Sequence, residues 1–73
     1  MPPKPLPYRA VRRKLEAAGF VVVSQSGSHV KFANVRPEGT RTAIVPRHRE
    51  VTSGTLRSVL SQAGISPDEW ERL

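Results

Sequence analysis

The sequence predicts an α+β domain: α-β-β-β-α, a three-stranded antiparallel sheet with both helices on one face. Three observations predict it. Apolar residues recur at spacings of three and four in two stretches, one from Tyr8 to Ala18 and one that Gly64 closes, the period of an amphipathic helix. Between these stretches lie three short runs rich in β-branched and aromatic residues, separated by Gly, Ser and Pro. Consecutive strands on short turns pair antiparallel, and each helix needs an apolar surface to cover.

The elements follow in order. Tyr8, Val11, Leu15 and Ala18 form the apolar stripe of the first helix, with Pro7 suited to its first turn and Gly19 as its C-terminal signal. Arg9, Arg12, Arg13 and Lys14 occupy its other faces and make it densely basic. Phe20-Val21-Val22-Val23 reads as a strand, Gln25 to Ser28 as a tight turn, and His29 to Ala33 as a strand of alternating polar and apolar residues. Asn34 to Gly39 reads as a loop containing the turn Arg36-Pro37-Glu38-Gly39, and Thr40 to Val45 as the third strand, stopped by Pro46. Thr52 or Ser53 caps the second helix, whose stripe is Leu56, Val59, Leu60 and Ala63. Ser66-Pro67-Asp68-Glu69 has the form of a capping box and opens a last helical turn carrying Trp70 and Leu73. By strand alternation Phe20, Val22, Val30, Phe32 and Ile44 should face the helices. Val21, Val23, His29, Lys31, Arg41 and Ala43 should lie on the opposite, uncovered face.

Size and composition narrow the function. Seventy-three residues make one small domain with a thin core, too short for a Rossmann unit or a P-loop domain. Residues 1–7, with four prolines, read as an extended leader, and residues 8–73 as the single domain. With no cysteine there is no disulfide, thiolate metal site or cysteine nucleophile, and two histidines with six carboxylates offer no metal-ligand spacing. No metal and no cofactor are expected. No signal-like or bilayer-length apolar run occurs, which suits a cytoplasmic protein without a membrane partner. The net charge is +6, unevenly spread: residues 1–67 hold eleven basic and three acidic residues, while the last six hold one basic and three acidic. Such a surface attracts a polyanion, above all nucleic acid, although solubility alone also accounts for a charge of this size.

His29 is the residue most suited to chemistry. Histidine both accepts and donates a proton near neutrality, and RNA carries its own nucleophile in the 2′-hydroxyl. A base, an acid and cations therefore suffice for cleavage. Lys31 or Arg41 would hold the phosphate, with Arg12, Arg13, Arg47 and His48 as further RNA-binding candidates. His48, between Arg47 and Arg49, is a second candidate proton-transfer group only if the fold brings it near His29. Against this, either histidine also reads as an ordinary surface or turn residue. The Thr52-Ser53-Gly54-Thr55 helix start reads equally as a phosphate contact or a plain cap.

Gly19-Phe20, Gly27-Ser28-His29, Val45-Pro46-Arg47-His48, Gly54-Thr55-Leu56-Arg57-Ser58-Val59-Leu60 and Gln62-Ala63-Gly64-Ile65-Ser66 stand in order. Together they resemble the HicA toxin family, also called YcfA-like, over about residues 7–70. The resemblance implies a double-stranded-RNA-binding-domain-like fold and a metal-independent mRNA interferase whose essential histidine is His29. It also implies a type II toxin–antitoxin pair whose HicB antitoxin covers the catalytic surface. The residues by themselves leave two other readings open, a non-catalytic RNA-binding module and a protein-docking domain.

Overall fold

A computed structural model of the chain describes residues 3–73, so the first two residues of the proline-rich leader lie outside the described residues. The described part has the order α1 (Tyr8–Ala17), β1 (Val21–Ser26), β2 (His29–Arg36), β3 (Gly39–Pro46), α2 (Ser53–Ala63) and α3 (Pro67–Glu71). The strands form one antiparallel sheet in the order β1-β2-β3. This is the α+β layout that the helical and strand periodicities predict.

Both amphipathic stripes are buried as their spacing requires. Val11 and Leu15 of α1, and Leu56, Val59, Leu60 and Ala63 of α2, enter one core with Phe20, Val30 and Phe32 of the strands. Each large apolar side chain removed from water contributes about 1.5–3 kcal/mol, which is set against the conformational entropy lost on ordering the chain. Thr52 caps α2, its side-chain oxygen accepting from the Thr55 N–H at 3.4 Å, and Gly64 closes it with φ 71°. A non-glycine residue in that left-handed geometry costs about 1–2 kcal/mol, and a Cβ there would also meet the Arg41 guanidinium at 2.9 Å. Ser66 accepts from the Glu69 N–H at 3.1 Å and starts α3, which buries Trp70. Lys14 holds that last helix down. Its Nζ donates to the Trp70 carbonyl at 2.8 Å and lies 5.2 Å from the centroid of the indole ring.

The two hairpin connections are shorter than the sequence suggests, and the strands correspondingly longer. Gly27-Ser28 alone joins β1 to β2, with Gly27 at φ 58°, the geometry that the first position of a type II′ turn demands. Pro37-Glu38 joins β2 to β3. Asn34, expected in a loop, is therefore a strand residue, and it is buried. Its Nδ2 donates to the carbonyl of Ala18 at 3.3 Å, satisfying a free acceptor at the end of α1. The polar side chain that argued for a loop is a helix-end partner.

Register decides which residues face the core, and here one expectation is overturned. The Pro37-Glu38 turn pairs Val30 with Val45 and Phe32 with Ala43, so Ala43 and Val45 are fully buried. Ile44, expected in the core, instead pairs with Lys31 and is 38% exposed on the far face. Arg41 pairs with Asn34 and so belongs to the helix side of the sheet, over Gly64, rather than to the open face. The physical reason is that Ala43-Ile44-Val45 is continuously apolar, so hydrophobic alternation cannot set its phase and the turn does. In β1 a bulge lies between Val22 and Ser24, and it keeps Val22 opposite Phe32. Counting straight back from the Gly27-Ser28 turn without that bulge would set Val23 opposite Phe32.

The segment before α1 is extended and is tied in at Leu6, which exchanges two backbone hydrogen bonds with Val51, at 3.1 and 2.7 Å. Leu6 and Tyr8 pack against the core from this side. Among the described residues no helix is long and apolar enough to cross a membrane.

Candidate active site

His29 opens β2 immediately after the Gly27-Ser28 turn, paired with Ser26 on one side and Pro46 on the other. Side chains two apart along a strand share a face, so His29 lies with Lys31 on the side away from the helices, as the alternation predicts. His29 and Lys31 are both exposed. Lys31 is flanked by Ser24 of β1 and Ile44 of β3. An imidazole and an ammonium thus stand side by side on an uncovered surface, with hydroxyls of β1 next to them.

That surface is also apolar. Val21 (58% exposed), Val35 (80%) and Ile44 all lie on it by register, and the bulge residue Val23 is 53% exposed. Val35 and Ile44 take the place of Ala43 in the expected set. Sequence reading missed Val35 because it fell in the expected loop.

The link from β3 to α2 closes one end of this surface. The Arg47 N–H donates to the carbonyl of Ser28, the residue before His29. Its guanidinium lies 5.7 Å from the centroid of the Tyr8 ring, at the start of α1. His48 and Arg49 follow, both exposed. The fold therefore brings Ser28, His29, Pro46 and Arg47 together, with His48 next in the chain. The Arg47–Tyr8 contact had no sequence signal, since the partners lie almost forty residues apart.

The remaining cations are dispersed. Arg12 pairs with Glu16 at 3.3 Å along α1, while Arg13 is exposed on the same helix. Arg41 is exposed at the other end of β3, where it lines a cleft of about 240 Å³ with Arg36, Gly39 and Gly64. Arg36 lies 4.0 Å from Glu38 beside it. The Thr52 side chain is used as a cap, which accounts for the polar helix start without a ligand. Among the described residues no group of three or more His, Cys, Asp or Glu comes together as a metal site.

The molecule is thus a small basic α+β domain with one sheet face covered by helices and the other open, cationic and apolar, with an exposed histidine. A family model described as the HicA toxin of bacterial toxin–antitoxin systems matches residues 8–65, most of the chain and every element from α1 to α2. The chain belongs to the HicA toxin family, the toxins of bacterial toxin–antitoxin pairs, which implies an antitoxin partner. No curated protein matches the chain.

Proposed function

We propose that this toxin is a metal-independent endoribonuclease of mRNA, acting in the cytoplasm, with His29 as a general acid or base. The observation that carries the proposal is His29 itself, exposed beside Lys31 on the open sheet face within the region that matches the HicA family. In this chemistry the 2′-oxygen of the RNA attacks the adjacent phosphorus. One group takes the 2′-hydroxyl proton and another gives a proton to the departing 5′-oxygen. Lys31 stabilises charge on the phosphate oxygens, and Arg47 adds positive potential at the same end of the sheet. Arg12 and Arg13 on α1, His48 in the link and Arg41 at the far end of β3 supply a broader, sequence-independent attraction for the RNA backbone. The substrate is a flexible single strand, because in-line attack needs a sugar–phosphate unit free to align.

Incubating the purified protein with single-stranded RNA in excess EDTA tests this reading. Cleavage at an undiminished rate is expected, since a base, an acid and cations supply all that the reaction requires. Cleavage that ceases in EDTA and returns with Mg²⁺ or Mn²⁺ would overturn metal independence. Binding without cleavage under any condition would make the protein an RNA-binding module instead.

The open face is also where a HicB-like antitoxin would dock. Val21, Val23 and Ile44 offer apolar anchors, and Lys31 offers charge to an acidic partner. Covering them occludes His29 with no conformational change in the toxin. Ile44→Glu is therefore expected to weaken antitoxin binding by a factor of ten or more, about 1.4 kcal/mol. Arg13→Glu, on α1, should change it far less. Calorimetry on both variants, after circular dichroism shows them folded, checks this. A larger loss for Arg13→Glu would move the antitoxin to the helical face.

A further inference from the structure

The ribonuclease reading leaves one proton-transfer group unnamed, and the geometry points to His48 as that second group, working with His29 across the scissile phosphate. The inference rests on the proposed ribonuclease activity and on three structural observations. First, His29 pairs directly with Pro46, the last residue of β3, so the chain leaving β3 starts beside His29. Second, the next residue is anchored at two points: its N–H donates to the Ser28 carbonyl, and its guanidinium lies over the Tyr8 ring. Tyr8 packs against the core, on the helix side of the sheet. Third, residues 47 and 48 continue without a turn, and the bend begins only at Arg49.

The side on which His48 emerges is inferred from these observations by continuing the strand alternation past Pro46. In extended chain, successive side chains take opposite faces. Arg47 takes the helix side, so Pro46 and His48 take the other, which is the face of His29. His48 is then the diagonal neighbour of His29, two residues beyond its direct partner. Diagonal neighbours lie about 7–8 Å apart between their backbones, within reach of long or aromatic side chains. That spacing suits two imidazoles that bracket one phosphate rather than touch each other. Arg47, Arg49 and Glu50 flank His48 in the chain, and Lys31 shares the face, so anionic substrate meets a mostly cationic rim.

The chemistry balances with these two groups alone. One imidazole, neutral, takes the proton of the 2′-hydroxyl as the 2′-oxygen–phosphorus bond forms. The other, protonated, delivers its proton to the 5′-oxygen as the phosphorus–5′-oxygen bond breaks. The products are a 2′,3′-cyclic phosphate and a free 5′-hydroxyl. Exchange of one proton each with water restores both histidines, and nothing is oxidised or reduced.

A substrate with a sulfur leaving group tests the pairing. RNA in which the bridging 5′-oxygen at the cleavage site is replaced by sulfur departs without an acid. On ordinary RNA, His48→Ala and His48→Gln should each lose about 10²–10⁴-fold in cleavage rate, as His29→Ala does. Glutamine keeps hydrogen-bonding capacity and adequate size, so a near wild-type rate for His48→Gln would show a binding or structural role and overturn the inference. On the sulfur substrate only one of His29→Ala and His48→Ala should recover to near the wild-type rate, namely the variant lacking the acid. Recovery of both, recovery of neither, or an unchanged His48→Ala rate on ordinary RNA would each overturn it. Failure of the wild-type chain to cleave either RNA would instead remove the ribonuclease reading itself.

Discussion

Replacing His29 by alanine is expected to leave a folded protein that cleaves RNA about 10²–10⁴-fold more slowly than the wild type. The two halves of that expectation have separate causes. His29 is exposed on the face away from the helices and makes no contribution to the core, so its loss should change stability by no more than about 0.5 kcal/mol. The rate falls because one of the two proton transfers loses its side chain, leaving water to act in its place. Thermal melting and a single-turnover cleavage assay on the same preparation check both halves. Full cleavage by the folded variant would remove His29 from the chemistry. An unfolded variant would show that the turn-flanking position holds the hairpin together.

Phe32→Ala is the change with the largest expected effect on stability, about 3–5 kcal/mol. Phe32 is fully buried at the centre of β2, between Val22 and Ala43 in the sheet and under both helices' apolar stripes. Ala43 opposite it is too small to fill the space left behind, so the site cannot collapse well. A chain of this length has a total stability of only about 4–11 kcal/mol, which makes the loss severe. Urea unfolding monitored through Trp70, itself in the same core, reads the effect directly. A midpoint within experimental error of the wild type would contradict the packing described for β2.

Legibility of the sequence varied by element and for physical reasons. The helices were the clearest, because apolar spacing, Thr52, Ser66 and Gly64 all mark the same boundaries seen in the structure. Strand ends were less clear. Asn34 is a poor strand residue by propensity, yet the carbonyl of Ala18 gives its amide a buried partner sixteen positions away. Lys14 reads as one more surface cation on a basic helix, whereas it fastens α3 through the Trp70 carbonyl. In both cases the deciding partner is distant in sequence, so no local pattern announces it.

The amino-acid sequence by itself determined the order of elements, the basic character, the two amphipathic stripes and the place of His29 beside Lys31 on one strand face. These follow from local periodicities of two and 3.6 residues, which need no partner to be read. Only the tertiary structure decided the phase of β3, sending Ala43 and Val45 inward and Ile44 outward, and moving Arg41 to the helix side. It alone brought the β3–α2 link to Ser28 and Tyr8, through the backbone and the side chain of Arg47. The reason is register: a two-residue turn or a single bulge fixes how strands align, and a shift of one residue exchanges the two faces.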